Sequence, residues 1–230
     1  MKIIWLGHSG FRIEIEDQIL LVDPWLTGNP SFPEDRRAEA IQGATAILLT
    51  HAHGDHAGNV LAIAKETGAP VVGMFDLIEW WQHTEKITGL GFNKGGTTQL
   101  GGTSVTMVNA VHSSTLDFDD RPARTGSEVG YILRGEGHRI YITGDTDVMA
   151  DMGIIAERYD PDIGLLCCGG HFTMDMEGAA YAAKKFFDFK TIIPCHWGTF
   201  PILAQSPQPL IEALPDIHVI EPQVLVPIEI

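Results

Sequence analysis

Cysteine is scarce in this sequence, and long apolar runs are absent. Three cysteines occur among 230 residues, and Cys167 and Cys168 are adjacent, which makes them poor disulfide partners for each other. A disulfide framework is therefore excluded. No apolar run approaches the roughly 18 residues that cross a bilayer, and the start MKIIWLGHSG lacks the apolar stretch of about 7–15 residues found in a signal peptide. We expect a cytoplasmic protein with no membrane partner.

Positive charge is also sparse. Lys and Arg total 15 against 30 Asp and Glu, which gives a net charge of −15, and the clusters Arg36-Arg37 and Lys184-Lys185 are short and separated. A nucleic-acid enzyme is expected to carry a basic patch, so nucleic acid is disfavoured as a partner. The content of 44% apolar and 20% charged residues fits a globular core and agrees with a compact soluble enzyme. The sequence leaves a homo-oligomer open.

The most informative segment is His-Ala-His-Gly-Asp-His at residues 51–56, directly after the apolar run Ala46–Leu49. Imidazole and carboxylate groups bind zinc, and also iron, nickel or manganese. Alternation in an extended segment directs His51 and His53 to the same side, which leaves Asp55 and His56 free for a second ion. The spacing therefore predicts a dinuclear metal site. The competing interpretation is a polar surface loop with chance histidines.

Three more ligand-type residues follow predicted strands. His112 follows the run Ser104–Val111, Asp145 follows Ile140–Gly144, and His196 follows Thr191–Cys195. A single His or Asp at a strand end is more often a capping or core hydrogen-bonding residue, but together these loops supply what a dinuclear site needs. Because these residues are scattered along the chain, no cut leaves a complete site on one side, and we expect one domain spanning residues 1–230.

The ordered set of these residues resembles the five motifs of the metallo-β-lactamase superfamily over nearly the whole chain. The resemblance implies one metal on His51, His53 and His112. It implies a second metal on Asp55, His56 and His196, with Asp145 as the bridge. The implied cofactors are two divalent ions, zinc first, with manganese, nickel or iron as alternatives, and a water or hydroxide shared between them.

Other segments resemble a narrower branch: Gly7–Phe11 (GHSGF), Gly169–Met174 (GGHFTM) and Pro194–Phe200 (PCHWGTF). They are similar to small metal-dependent hydrolases near the L-ascorbate-6-phosphate lactonases and N-acyl-phosphatidylethanolamine phospholipases D. The likeness is greatest to short bacterial and archaeal proteins described only as metal-dependent hydrolases. Cys167-Cys168 stands where those relatives usually carry Pro-Ile. The resemblance implies hydrolysis of an ester, lactone, amide or phosphodiester in a small-molecule substrate. Because metal cations attract anions locally, a small anionic substrate stays open despite the acidic composition.

Three residues are candidate catalytic groups: Asp55, His171 and His8. Asp55 would hold the geometry of the hydroxide as well as a metal. His171 follows two glycines and is suited to bind an oxyanion or protonate a leaving group. His8 lies in a Gly-His-Ser-Gly turn, where a structural histidine satisfied by backbone is the competing interpretation. Asp23 is a partner for a ligating histidine or a turn former.

The secondary-structure pattern predicts an α+β protein. Five helices are expected: Asn59–Glu66, Asp76–Thr84, Asp147–Arg158, Asp175–Phe187 with Asp175 as N-cap, and Pro207–Leu214. Twelve strands are expected: Lys2–Leu6, Phe11–Ile15, Ile19–Val22, Ala46–Leu49, Pro70–Gly73, Ser104–Val111, Val129–Arg134, Arg139–Thr143, Ile163–Cys167, Thr191–Pro194, Ile217–Ile220 and Val224–Ile228. Periodicity supports several layouts, and the four-layer αββα sandwich, two mixed sheets with helices on both outer faces, is what the resemblance implies. The stretch Ser113–Ser127 is a substrate cover or a plain connecting loop.

Two other functions remain as alternatives. One is a di-iron oxidoreductase of the flavodiiron type. Against it, His53 stands where those proteins usually carry a glutamate, and the chain has no room for a flavin domain. The other is a non-catalytic metal-binding protein, which a broken ligand set would favour, whereas all seven ligand positions are filled.

Overall fold

The computed structural model describes residues 1–116 and 125–230. Two seven-stranded mixed sheets form the centre of the described chain. The first holds β14-β1-β2-β3-β4-β5-β6, in that spatial order: Pro227–Glu229, Lys2–Trp5, Phe11–Ile15, Gln18–Val22, Ala46–Leu48, Val71–Met74 and Gly89–Phe92. The second holds β13-β12-β11-β10-β9-β8-β7: His218–Val219, Thr191–Cys195, Ile163–Cys167, His138–Ile142, Val129–Gly135, Thr103–Asn109 and Thr97–Leu100.

The described α-helices number seven. They are α1 Arg37–Ile41, α2 Gly54–Ala57, α3 Val60–Thr67, α4 Phe75–Glu85, α5 Asp151–Tyr159, α6 Met176–Phe186 and α7 Gln208–Ala213, with a 3-10 turn at Glu34–Arg36. Asp175 caps α6 as predicted, since its side chain accepts a hydrogen bond from the amide of Gly178. None of the helices in the described part of the chain has the length and apolar character that crossing a bilayer requires.

Alternation along the strands divides the apolar side chains between layers. Leu20 and Val22 of β3 lie in a core shared with the second sheet, whereas Leu21 packs with residues of α3 and α4. On the second sheet, Tyr141 of β10 contacts Phe187 at the end of α6, with ring centroids 5.4 Å apart. Helices therefore cover both sheets on their outer faces, and the predicted α+β sandwich is confirmed.

Both sheets follow the same pairing plan. Counted from β14 in the first sheet and from β7 in the second, three antiparallel pairings are followed by three parallel ones. The plan directs β1, β3, β4 and β5 the same way, and likewise β8, β10, β11 and β12. The loops that follow these strands therefore collect at one edge of each sheet.

Most predicted elements are confirmed within one or two residues, and several predictions were wrong. β6 and β7 were not predicted, and neither were the short helices α1 and α2. Helix α5 begins at Asp151, not Asp147, because residues 147–150 turn near the site edge, where the amide of Asp147 bonds the carbonyl of Val111. The last strand begins at Pro227, not Val224, because the amide of Leu225 bonds Trp5 and the chain turns there.

Candidate metal centre

The seven predicted metal ligands all lie in segments that follow strands at the shared edge. His51 and His53 lie between β4 and α2, while Asp55 and His56 lie on α2 itself. The segment is thus extended only as far as His53, because the chain turns into a helix at Gly54. The remaining three, His112, Asp145 and His196, follow β8, β10 and β12.

His51, His53 and His112 form a first cluster. One imidazole nitrogen from each lies within 4.8 Å of the others, and His51 Nε2 is 3.0 Å from His53 Nδ1. His51 is buried, and burial lowers its pKa well below the ordinary value, with the nearby His56 adding to the effect. Neutral imidazole is the form that binds a metal. Three such groups around one point are a recurrent zinc ligand set.

A second cluster contains His8, Asp55, His56 and His196, whose potential ligand atoms also lie within 4.8 Å of one another. Asp55 Oδ2 is 3.9 Å from His196 Nε2 and 4.0 Å from His56 Nε2. Burial by itself would raise the pKa of Asp55, but the hydrogen bond from His8 and the neighbouring His56 hold it well below its usual range. The carboxylate is therefore ionised.

Asp145 lies between the two clusters and is only 2% exposed. Its Oδ2 is 3.0 Å from His196 Nε2 and 3.3 Å from His56 Nε2 on one side. On the other side it is 3.6 Å from His112 Nε2 and 3.9 Å from His51 Nε2. One carboxylate oxygen thus touches members of both clusters.

The charges and unpaired atoms of this centre fit bound cations. Asp145 Oδ1 and His56 Nε2 are buried without a hydrogen bond within the described chain, which is costly unless another partner supplies the interaction. Burial would raise the pKa of Asp145, yet His196 and His56 hold it well below its usual range. Burial would lower the pKa of His56, yet Asp145 and Asp23 raise it well above the ordinary value. The centre thus favours positive charge at this point, and its imidazole and carboxylate donors suit divalent ions.

Asp23 supports His56 from behind. Its Oδ2 accepts a hydrogen bond from His56 Nδ1 at 2.8 Å, and its carboxylate also accepts bonds from the amide and hydroxyl of Thr50. This fixes the ring so that Nε2 faces the cluster. Of the two interpretations of Asp23, the contact supports the partner of a ligand-type histidine.

His8 is fully buried, and its two ring nitrogens each make a side-chain hydrogen bond. Its Nε2 is 3.0 Å from Asp55 Oδ2 and its Nδ1 is 2.9 Å from Thr199 Oγ1. The ring is therefore not satisfied by backbone, which was the competing interpretation. Burial lowers the pKa of His8 to about 4, although the hydrogen bond to Asp55 opposes the shift. His8 links the first loop of the chain to a carboxylate of the second cluster and to the loop after β12.

His171 is exposed and has a positive φ of 57°. Its ring meets the ring of Phe172 edge-on at 4.5 Å, and Phe172 lines the cleft over the metal centre, whereas His171 is not among the described lining residues. The two glycines before it have different reasons: a Cβ on Gly169 would overlap the carbonyl oxygen of His196, whereas Gly170 has a positive φ of 71°. Of the predicted cover Ser113–Ser127, residues 117–124 lie outside the described residues, and Ser113 lines the cleft.

The cleft has a volume of about 570 Å³ and includes three aromatic residues that the sequence analysis did not single out as site residues: Trp25, Phe172 and Phe200. Each lies in a loop after a strand, close to Asp23, His171 or His196, and Phe172 and Phe200 also belong to the motifs GGHFTM and PCHWGTF. These are the signals that could have found them. Cys195 is buried in the apolar core, because alternation along β12 turns it away from the face of its neighbour His196.

Two mixed sheets under outer helices, with a histidine and aspartate centre at their shared edge, define the αββα class of metal-binding proteins. The chain belongs to the metallo-β-lactamase superfamily, since residues 18–197 match the beta-lactamase superfamily domain. This confirms the superfamily that the motifs indicated. The narrower placement near the L-ascorbate-6-phosphate lactonases stays a prediction.

Individual relatives agree with that family. A UPF0173 metal-dependent hydrolase of Cereibacter sphaeroides is 64% identical over 230 residues and 100% of both chains. The structure of Igni18, a metallo hydrolase of the archaeon Ignicoccus hospitalis, superposes with a TM-score of 0.85 at 32% identity over 100% of this chain and 98% of that one. These relatives support a metal-dependent hydrolase.

A more distant structure shares the fold alone. CmlA, a diiron beta-hydroxylase of Streptomyces venezuelae, superposes with a TM-score of 0.73 at 15% identity, over 100% of this chain and 54% of that one. The same sandwich therefore occurs with an oxidative reaction in another protein. The choice between hydrolysis and oxidation has to come from the site.

Proposed function

We propose that the protein is a dinuclear metal-dependent hydrolase that cleaves an ester, lactone, amide or phosphodiester bond of a small molecule. The observation that carries the proposal is the position of Asp145, whose Oδ2 lies within 3.9 Å of imidazole nitrogens from both clusters. A carboxylate so placed is suited to bridge two cations. In this proposal His51, His53 and His112 hold one ion, and Asp55, His56 and His196 hold the other.

The proposed ions are zinc, with manganese, nickel or iron as alternatives, because the donors are imidazole and carboxylate. Such a pair supplies a hydroxide near neutral pH and polarises the substrate oxygen. The chain's own residues shape this chemistry. Asp23 orients His56, and His8 holds Asp55 through a hydrogen bond of 3.0 Å. Support of this kind fixes the ring orientation and basicity of ligands.

A covalent mechanism has little support among the described residues. All three cysteines are buried, and burial raises the pKa of Cys167 to about 12, which keeps it a thiol. Ser113 lines the cleft, but the nearest base to its Oγ is His53 Nε2 at 3.4 Å, and that residue belongs to the first cluster. Metal ions held by the two clusters would therefore supply the activated water in place of a protein nucleophile.

Hydrolysis is favoured over oxidation by the first cluster. Its three members are imidazoles, as in catalytic zinc sites, whereas non-haem iron oxygenases commonly use two histidines and a carboxylate. Metal-loaded protein should therefore hydrolyse members of a panel of esters, lactones and phosphodiesters. Oxygen consumption without hydrolysis, seen with the iron-loaded protein, would support the oxidoreductase instead.

Protein prepared without chelators should contain about two divalent ions per chain, because a dinuclear centre uses all seven ligand-type residues. Elemental analysis of the purified protein measures the ratio. Chelation should remove hydrolysis and zinc should restore it. A ratio near zero after metal supplementation would contradict the dinuclear proposal.

His171 is proposed to assist catalysis without binding metal. We expect His171→Ala to keep its metal content. Because its ring lies outside the described lining of the cleft, beside Phe172, turnover should fall by less than the about 10²–10⁴-fold that the loss of a positioned acid or base costs. Metal content, melting temperature and kcat should be measured on the same preparation. A matched control is His83→Ala, a histidine on α4 away from the cleft. Wild-type turnover in His171→Ala would remove this residue from the mechanism.

A further inference from the structure

We propose that the cleft selects uncharged substrates that carry a flat apolar group, and that this group lies against Trp25 and Phe200. The inference rests on the proposed hydrolysis and names the class of substrate for the same site. It narrows the proposed bonds to ester, lactone and amide, because a phosphodiester carries a negative charge. It concerns recognition by the protein's own side chains, so it can be tested by binding as well as by turnover.

Trp25 and Phe200 form a continuous aromatic wall. Their rings stack at 5.8 Å with 30° between the planes, although they come from loops that follow different sheets. Both rings line the cleft, and Phe172, which is 49% exposed, lines it too. Aromatic faces contribute large apolar contact areas to a flat ligand and favour stacked or edge-to-face arrangements. A planar group is therefore matched by the shape of this wall.

The wall lies beside the second cluster. His8 touches both rings, with centroid distances of 5.4 Å to Trp25 and 5.5 Å to Phe200, and the same histidine holds Asp55. A substrate whose apolar group rests on the wall would thus place its polar bond toward Asp55 and Asp145, which also line the cleft. The wall and the carboxylates are neighbouring parts of one cleft.

Charge disfavours an anionic substrate group. Among the described lining residues there is no lysine or arginine, and the polar groups are the metal-centre side chains and Ser113. Anions are usually recognised by charge-assisted hydrogen bonds from arginine or lysine. The net charge of −15 also opposes the approach of anions over long range. The described lining of the cleft therefore offers no lysine or arginine to anchor a negative group, and only bound metal ions would attract one.

A pair of dyes with the same flat body separates shape from charge. N-phenyl-1-naphthylamine is neutral, and 8-anilinonaphthalene-1-sulfonate adds a sulfonate to it. We expect zinc-loaded protein to bind the neutral dye at least about 10-fold more tightly, and Trp25→Ala to weaken that binding by about 10-fold or more. Trp25→Leu keeps the site filled and should bind at an intermediate strength, which separates ring loss from misfolding. Tyr181→Ala removes an aromatic side chain, 55% exposed on α6, and should bind like wild type.

The rates of hydrolysis of matched esters give a second test of the same inference. Methyl phenylacetate should exceed monomethyl succinate in kcat/KM, and Phe200→Ala should reduce the preference for methyl phenylacetate over methyl acetate by about 10-fold. Tighter binding of the sulfonate dye, or an unchanged dye affinity in Trp25→Ala, would overturn the inference even with an active hydrolase. Neutral-dye selectivity without hydrolysis of any bond class would instead reject the proposed function and leave the recognition result standing.

Discussion

Replacing Asp145 with alanine should reduce the bound metal from about two ions per chain to about one or fewer. The reason is that Asp145 Oδ2 contacts histidines of both clusters, so its loss removes a negative group placed to interact with both proposed cations. Two cations facing each other without that charge would repel. Hydrolysis should fall by more than about 10³-fold, the upper range for losing one electrostatic group in an active site. Elemental analysis and kcat/KM measure both effects.

Cys195→Ala is the matched control for this prediction. Cys195 directly precedes His196 but packs in the apolar core, so its truncation should cost stability and leave the metal content near wild type. Asp145→Asn separates charge from volume, because it keeps the shape and removes the negative charge. Normal occupancy in Asp145→Ala, together with metal loss in Cys195→Ala, would show that the bridging role is wrong.

Replacing His8 with asparagine should weaken binding of the second ion by about 10–100-fold, the usual effect of removing a group that supports a metal ligand. His8 holds Asp55 at 3.0 Å and is itself held by Thr199 at 2.9 Å, so without its ring the carboxylate loses its described hydrogen-bonding partner. Asparagine is chosen because His8 has a φ of 52°, a backbone conformation that asparagine tolerates better than alanine. Competition against a chromogenic chelator measures the affinity.

Thr199→Val provides the comparison for the histidine variant. It removes the hydroxyl beside Nδ1 and leaves the contact between Nε2 and Asp55 in place. We expect a smaller loss of metal affinity than in His8→Asn. If the two variants lose metal affinity to the same extent, the hydrogen bond between His8 and Asp55 does not determine the metal affinity. If neither loses any, His8 serves only the packing beneath Trp25 and Phe200.

Many strands were predictable because polar and apolar residues alternate along them or because they are buried runs of β-branched residues. Ile163–Cys167 and Phe11–Ile15 agree residue for residue with the structure. The two strands that were missed, β6 and β7, have the sequences GLGF and TTQL and lie at sheet edges. Neither sequence has enough apolar residues to predict a strand. Each forms a strand because its backbone pairs with one neighbouring strand of the sheet.

The candidate site was predictable in its parts and not in its geometry. Ligand-type residues after strands were visible in the sequence, but nothing in it showed that Asp55 and His56 sit on a one-turn helix, because four residues are too few for a periodic signal. The hydrogen bonds of His8 join positions 191 residues apart in the case of Thr199. The stacking of Trp25 on Phe200 likewise depends on how two sheets meet, which no local pattern encodes.

Because the two sheets share one order of strand pairing, the residues around the metal centre are related by pseudo-symmetry. Asp23 follows the third strand of the first half and Asp145 follows β10, its counterpart in the second, while His8 and His112 follow β1 and β8, which also correspond. The two residues of each pair occupy corresponding positions in the two sheets but make different contacts. Asp145 and His112 face the proposed ions, whereas Asp23 and His8 hold other ligand-type residues in place. The same strand arrangement thus occurs twice. In the second sheet it places proposed metal-ligand side chains, and in the first it places the side chains that hydrogen-bond to other ligands and fix their orientation.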